Sequence, residues 1–264
     1  MLVDLHMHSH FSFDAQPNTV MELAAASIKR GLSVIAVTDH KDYFWNRPPM
    51  ELDLAGVQAE IDATRAQYGG QIEILKGIEL GEPNADPAAM ELLEAYPFDV
   101  VIGSLHAMPN DVDFYDMDYD NLDQEQLLRD YLVEAKKMAE HGGFDVFAHL
   151  DYPLRVMKRD YNHPSFENFM EWVTPVLRAV IDRELSLEIN AAGLFAWMKQ
   201  VGPEDFVLEE YRRLGGTMIS IGSDSHAAAS VGRGAEECIA HAKRHGFHEV
   251  MVYRNRKPQA VSIG

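Results

Sequence analysis

Short apolar runs alternate along the chain with longer segments in which apolar residues recur at helical spacing. The short runs predict strands, which are Leu2–Leu5, Ser33–Val37, Ile72–Ile78, Val100–Ile102, Val146–Ala148, Leu185–Ile189 and Met218–Ile221. The longer segments predict helices, which are Val20–Arg30, Leu54–Gln67, Leu127–Glu140, Phe166–Arg183, Phe206–Leu214 and Gly234–His245. Glycines such as Gly142 and Gly143 stand where several of these helices should end.

This repeated strand–helix alternation predicts an α/β fold with parallel strands. The chain length of 264 residues favours a closed barrel, with its site at the C-terminal strand ends, over a doubly wound open sheet. The periodicity alone is compatible with both folds. We expect a single domain over residues 1–264. Two stretches predict long loops, Asn84–Tyr96 and the acidic Asn110–Gln126. The second of these, together with Tyr152–Pro164, is a candidate lid over the barrel mouth.

Charge and composition narrow the class of protein. The formal net charge is −19, which disfavours binding to long nucleic acids but not to a small anionic substrate beside bound cations. The chain has no apolar run long enough for a membrane span and no signal-like start, so we expect a cytoplasmic protein without membrane contacts. The single cysteine, Cys238, is predicted to be a half-buried structural thiol in a helix. The oligomeric state is left open.

Metal-type ligands stand at the ends of most predicted strands. A lone histidine in such a place is more often structural, but the C-terminal ends of parallel barrel strands meet at one mouth, so the set indicates a metal site. His6 and His8 are two apart and therefore share one strand face, and Asp224 and His226 repeat this spacing. Glu79 is placed to bridge two metals, and imidazole with carboxylate suits zinc, manganese or iron. The remaining strand-end residues of this kind are His40, His106, His149 and Asn190.

Other histidines fall in or near predicted helices and are expected at the surface. They are His141, His163, His241, His245 and His248. His10 lies close to the strand-one motif and is not assigned to the ligand set.

Taken in order, the motifs resemble those of the PHP (polymerase and histidinol phosphatase) superfamily. They read DLHMHSHFSFD, TDH, GIELGE, GSLH, AHLD, EIN and GSDSH, and the resemblance is strongest to monofunctional histidinol-phosphate phosphatases. It implies a distorted (β/α)7 TIM-like barrel that holds two or three divalent metal ions (Mn, Zn or Fe). It also implies hydrolysis of a small phosphorylated substrate, L-histidinol phosphate, in histidine biosynthesis.

Carried over by position, the resemblance implies three overlapping ligand sets. His6, His8, Glu79 and Asp224 would hold one metal, and Glu79, His106 and His149 would hold a second. Asp14, His40 and His226 would hold the third. Some relatives have histidine where this chain has Asp14, and a carboxylate shifts the preference towards harder cations. Asp14 as an ordinary turn residue is the alternative.

The resemblance also suggests residues for the substrate. Arg155 follows the His149 motif and suits phosphate, because guanidinium binds it bidentately. The branch often has a second basic residue after strand six, where this chain has Phe195 and Trp197, so Lys199 is the candidate, with Asn190 beside it. Alternatively, the two aromatic residues form a different pocket or simply pack the loop. Asp224 and His226 are the candidate catalytic residues near the leaving alcohol.

Two other functions stay open on the sequence. One is a nucleotidase or exonuclease of the same superfamily that acts on nucleotides or short nucleic-acid ends. The acidic charge, without a basic groove that carries aromatic residues, counts against long nucleic acids. The other is a non-catalytic metal-binding domain, which would be expected to lack some of the nine metal-ligand positions.

Overall fold

The computed structural model describes residues 1–157 and 165–264, and parallel strands form its centre. The strands are β1 (Val3–Asp4), β2 (Val34–Val37), β3 (His40–Asp42), β4 (Glu73–Gly81), β5 (Val100–Ser104), β6 (Val146–Phe147), β7 (Ser186–Asn190) and β8 (Ile219–Gly222). Their order is β1-β2-β4-β5-β6-β7-β8, and the short β3 pairs with the end of β4 beyond β2.

The two ends of this sheet meet and nearly close the barrel. The Leu5 amide donates to the Ile221 carbonyl at 2.9 Å, and the Asp224 amide donates to the His6 carbonyl at 2.8 Å. The predicted barrel of seven parallel strands is therefore confirmed. Strands β2, β5, β7 and β8 are buried along their whole length, as expected of parallel strands covered on both faces.

Helices surround the strands, as the alternation predicted. They are α1 (Val20–Lys29), α2 (Leu54–Tyr68), α3 (Ala88–Ala95), α4 (Gln124–His141), α5 (Tyr152–Val156), α6 (Met170–Asp182), α7 (Ala192–Phe195), α8 (Asp205–Arg213) and α9 (Ala235–Arg244). Short 3₁₀ turns lie at Phe114–Asp116, Tyr119–Asn121 and Glu167–Phe169. Local sequence sets the helix starts: Thr19 and Glu22 form a capping box at α1, and Asp123 caps α4.

An antiparallel hairpin, β9 (Glu249–Arg254) with β10 (Lys257–Ser262), ends the chain. Its turn residues Asn255 and Arg256 have φ of 49° and 63°, as in the tight turns that suit hairpin twist. The Tyr253 hydroxyl donates to the Asp145 carbonyl at 3.0 Å and lies 2.7 Å from the Ser186 hydroxyl. These contacts fasten the hairpin to the β6 and β7 end of the barrel.

Four local predictions are corrected by the structure. Asn84–Tyr96 is not a loop throughout, because α3 lies within it. Cys238 is completely buried rather than half-buried, and His241 is 4% exposed rather than a surface residue. His245 is partly buried, whereas His141 and His248 are exposed as expected. His163 and the second half of Tyr152–Pro164 lie outside the described residues.

None of the helices in residues 1–157 and 165–264 is long and apolar enough to cross a membrane.

Candidate metal centre

The predicted metal-ligand positions come together at one end of the barrel. Most of them lie near or just after the C-terminal end of a barrel strand, so the parallel topology brings them to the same mouth, and Asp14 reaches it from the loop after β1. They are His6, His8, Asp14, His40, Glu79, His106, His149, Asp224 and His226, and most are buried.

Glu79 lies at the centre of this cluster and is completely buried. Its Oε2 lies 3.0 Å from His6 Nε2, 3.4 Å from His8 Nε2 and 3.1 Å from His40 Nδ1. Its Oε1 lies 3.3 Å from His106 Nε2 and 3.0 Å from His149 Nε2. The two oxygens of one carboxylate thus face two different groups of imidazoles, which is the geometry required of a bridging ligand.

Two further carboxylates complete the cluster. Asp224 Oδ1 lies 3.7 Å from His6 Nε2 and 3.5 Å from His8 Nε2. Asp14 Oδ2 lies 3.1 Å from His226 Nε2 and 3.7 Å from His40 Nε2. Asp14 is therefore not an isolated turn residue, because its carboxylate faces the same imidazoles that were grouped with it from the sequence.

Outer residues fix the imidazole tautomers. The Ser12 hydroxyl donates to Asp39 at 2.9 Å, so it can only accept from Nδ1 of His8, which lies 3.2 Å away. The hydrogen of His8 is then on Nδ1, and its Nε2 lone pair faces Glu79 and Asp224. Glu188 Oε1 lies 2.7 Å from Nδ1 of His6 and holds that ring in the same way. Histidines that bind metals are typically oriented by such a bond from the other ring nitrogen.

The polar atoms inside the cluster are placed to bind metal ions rather than to hydrogen-bond to one another. Within the described residues, His8 Nε2 and His40 Nδ1 are buried without a hydrogen-bond partner. Yet carboxylate oxygens lie 3.1–3.5 Å from these atoms, and ligands of a tetrahedral ion lie roughly 3.3 Å from one another. Buried polar atoms without partners are costly, so these nitrogens are arranged for a cation between them and the carboxylates.

The electrostatics favour the ligand forms of His8 and Glu79. Burial, with the neighbouring charges of His226 and His40, holds the pKa of His8 well below its usual range, so its imidazole is neutral. Burial alone would raise the pKa of Glu79, but the surrounding histidines outweigh it and hold the pKa well below its usual range. A neutral imidazole beside an ionised carboxylate is the protonation state that binds metal. At His6, His40 and His106, burial would lower the pKa, but the neighbouring carboxylates outweigh it and raise the pKa, so metal binding there must release a proton.

Arg155 and Asn190 reach the cluster through Asp224. The buried Arg155 guanidinium donates from Nη1 to Asp224 Oδ2 at 3.1 Å and from Nε to Asp151 Oδ2 at 3.2 Å. The Asn190 amide lies 3.4 Å from the same Asp224 oxygen and donates to Glu188 at 3.0 Å. Both predicted substrate residues therefore border the metal centre, and both contact one of its carboxylates.

The structure does not bring Lys199 to this centre. Lys199 is exposed, has φ of 54° and is not among the described residues that line the cavity above the cluster. Phe195 is also outside that lining, and its ring lies 3.3 Å from the guanidinium carbon of Arg233 on another surface. Phe195 therefore packs a loop, as one alternative from the sequence proposed, and adds no aromatic wall to the metal centre.

The cavity over the metal centre has a volume of about 110 Å³. Besides cluster residues, Phe13, Asp42, Asp113 and Tyr152 line it. The Tyr152 hydroxyl donates to Asp113 Oδ1 at 2.8 Å, and its ring lies 5.0 Å from that of His106. The acidic stretch Asn110–Gln126, predicted as a long loop, thus contributes Asp113 to the wall of the site.

Sequence reasoning missed Asp42 and Glu82, besides Glu188 and Asp39 described above, among the carboxylates that support the cluster. Asp42 Oδ2 lies 3.4 Å from His106 Nδ1, and the two-residue spacing from His40 was the signal that could have found it. Glu82 accepts from the backbone amides of His106 and Ala107 at 2.6 Å and 2.8 Å. Burial and the nearby Asp42 raise the pKa of Glu82 to about 8.

Comparison with known proteins agrees with this geometry. The PHP domain model matches residues 4–192 of the chain. The histidinol-phosphatase of Lactococcus lactis subsp. lactis is 29% identical over 259 residues, which cover 97% of this chain and 95% of that protein. The probable histidinol-phosphatase of Thermotoga maritima is 30% identical over 253 residues, which cover 95% of each.

A solved structure extends this likeness to the fold. The crystal structure of histidinol phosphate phosphatase from Lactococcus lactis, complexed with zinc, L-histidinol and phosphate, has a TM-score of 0.86 to this chain. The two are 28% identical, and the match covers 98% of each chain. With the family model matching well over half of its length, the chain belongs to the PHP domain family.

Proposed function

We propose that this chain is a metal-dependent phosphomonoesterase that hydrolyses L-histidinol phosphate to L-histidinol and phosphate. The observation that carries the proposal is the buried cluster of histidines and carboxylates around Glu79, in a chain similar over nearly its full length to histidinol-phosphatases. The zinc, L-histidinol and phosphate in the related crystal structure support this substrate and metal class.

The distances support the three ligand sets inferred from the sequence. His6 and His8 face both one oxygen of Glu79 and Asp224 Oδ1, whereas His106 and His149 face the other oxygen of Glu79. Asp14, with His40 and His226, would form the third set. Divalent ions bound there would polarise phosphoryl oxygens and lower the pKa of water at the site.

The chain's own residues have separate tasks in this proposal. Glu79 supplies one oxygen to each of two ligand sets, which fixes their separation. Arg155 is buried and is not among the described residues that line the cavity; it holds Asp224 in place and adds a fixed positive charge behind that carboxylate. His226 and Asp14 are the more exposed ligands, with side chains 30% and 38% exposed, so we place the incoming phosphate on their side.

The cavity wall suits the organic part of the substrate. L-histidinol phosphate carries a cationic amine, and Asp113 offers a carboxylate at the cavity wall. Phe13 and Tyr152 provide aromatic surface for the imidazole ring. We also propose a cytoplasmic location and a single domain over residues 1–264, as the sequence predicted.

Phosphate release tests the function directly. The protein loaded with manganese or zinc is given histidinol phosphate, AMP, a short oligonucleotide and a sugar phosphate in parallel. We expect kcat/KM for histidinol phosphate above about 10⁴ M⁻¹s⁻¹, and loss of this activity with a chelator. Turnover of another panel member with little for histidinol phosphate would overturn the proposed substrate.

A further inference from the structure

A second group of metal-type ligands lies away from the barrel mouth, where α8 begins and α9 ends. Asp205 is the first residue of α8, His241 lies in the last turn of α9, and His245 is the C-cap residue of α9. One potential ligand atom from each lies within 4.8 Å of the other two. We call these three residues the helix-end cluster.

His241 is held in the tautomer that a metal ligand needs. Its Nε2 lies 2.8 Å from the Pro203 carbonyl oxygen, which can only accept, so Nε2 carries the hydrogen. The lone pair of Nδ1 is then directed at the cluster. The ring is buried, and burial lowers the pKa of His241, which favours the neutral form. A ring N–H donated to a backbone carbonyl is the usual support of a metal-binding histidine.

The donor atoms are spaced for one small cation. Asp205 Oδ1 lies 3.4 Å from His241 Nδ1 and 2.7 Å from His245 Nε2. Ligands held by zinc at about 2.0–2.2 Å lie roughly 3.3 Å apart in a tetrahedron. Because His241 Nδ1 and the carboxylate are both acceptors, their 3.4 Å separation requires a positive charge between them or close by.

Arg244 meets that requirement in the present structure. Its Nη2 lies 2.7 Å from His241 Nδ1 and 3.6 Å from Asp205 Oδ1. The Arg244 side chain is 60% exposed, so it can move into solvent once an ion takes its place at His241 Nδ1. Asp205 is 64% exposed, which gives an ion a path from solution and leaves room for water at a fourth position.

We propose that the helix-end cluster binds one divalent transition-metal ion of the zinc class, through Asp205 Oδ1, His241 Nδ1 and His245 Nε2. The ion displaces the Arg244 guanidinium and links the start of α8 to the end of α9. This site is separate from the barrel-mouth cluster and does not depend on the proposed phosphatase function.

Zinc stoichiometry tests the proposal, because the barrel-mouth metals cancel in a comparison of variants. Wild type, His245→Ala and the control His248→Ala are dialysed to equilibrium against zinc and analysed for bound metal. The control removes an exposed histidine that lies near the cluster in sequence but outside it. We expect His245→Ala to bind one equivalent less than wild type and His248→Ala to match wild type. Equal zinc content in all three proteins would overturn the proposal.

Two further variants sharpen the result. Asp205→Ala removes an exposed ligand and should also lose one equivalent, which covers the case in which His245→Ala fails to fold. Arg244→Ala removes the competing cation and should bind the extra ion more tightly than wild type does. Unchanged or weaker affinity in Arg244→Ala would contradict the displacement. Phosphate release by Asp205→Ala should equal that of wild type, so this result is independent of the proposed activity.

Discussion

Replacing Glu188 by glutamine should weaken the metal centre without removing any proposed ligand. Glu188 is buried and uses both oxygens as acceptors. Its Oε1 faces His6 Nδ1 at 2.7 Å, and Oε2 accepts from the His149 amide at 2.9 Å and from Asn190 Nδ2 at 3.0 Å. A glutamine has one acceptor oxygen, so it cannot serve both sides.

The two possible amide orientations have different costs. If the oxygen faces His6, the amide nitrogen faces two donors, from His149 and Asn190, and each unpaired buried donor costs about 1–3 kcal/mol. If the oxygen faces those donors, the amide nitrogen faces His6 Nδ1, and His6 must move its hydrogen to Nε2. The second orientation leaves fewer donors unpaired, so we expect it to dominate. It blocks the His6 nitrogen that faces Glu79.

The expected loss in metal affinity is about 10–100-fold, the usual effect of removing such a supporting group, or about 1.4–2.8 kcal/mol. Activity is measured against free metal concentration, and histidine NMR reports the His6 tautomer. The matched control is Glu73→Gln, which alters a partly exposed ion pair with Arg254 on the same barrel. If Glu188→Gln reaches half-maximal activity at the same free metal concentration as wild type, the reasoning is refuted.

Further predictions concern the substrate, the thiol and the metals. Asp113→Asn should raise KM for histidinol phosphate about tenfold, because the substrate amine loses a charged hydrogen bond. KM for a phosphomonoester without an amine should stay unchanged, and steady-state kinetics with both substrates test this. Arg155→Lys should lower kcat/KM at least about tenfold, because an ammonium cannot hold Asp151 and Asp224 together as the fork does, and wild-type kinetics would exclude this role. Burial raises the pKa of the Cys238 thiol well above its usual range, so a thiol reagent should label it only in denaturant; rapid labelling of native protein would contradict its burial. Chelation should abolish protection by inorganic phosphate against thermal unfolding, and protection that persists in metal-free protein would show that the anion binds elsewhere.

Much of the barrel and its ligand cluster could be predicted because the strand topology determines where the strand ends lie. Once strands and helices alternate, every C-terminal strand end must reach the same mouth, whatever the loop lengths. The two-residue spacing of His6 and His8 needed only strand geometry to place both rings on one face, and both are buried.

The missed elements β3, α3 and the β9–β10 hairpin each lack one of the signals that predict such elements. Strand β3 consists of His40, Lys41 and Asp42, whose side chains are polar because two of them face the site. Helix α3 has only 8 residues, fewer than the roughly 11–18 over which helical periodicity is recognised. Strand β9 of the hairpin carries the apolar run Val250–Tyr253, but the Asn255-Arg256 turn lacks the glycine that marks such turns.

Tertiary contacts also change the meaning of residues that looked ordinary. His241 sits in an amphipathic helix, where a histidine normally belongs to the polar face, yet the Pro203 carbonyl draws its ring inward. Lys199 stood at a plausible distance along the chain for a phosphate ligand, but the loop after α7 leaves it exposed. Within a strand or helix, residue spacing predicts the face on which a side chain lies. In a loop it does not, so a loop residue can point away from the site.

The charge of the whole molecule shows why the local site must be considered separately. A net charge of −19 would repel a phosphate ester from most of the surface. At the cluster, three carboxylates, Asp14, Glu79 and Asp224, contribute about −3, whereas two or three divalent ions would contribute about +4 to +6. Since Arg155 is already paired with Asp151 and Asp224, the metals supply most of the attraction for the substrate. Metal loading should therefore control phosphate binding as well as the chemical step.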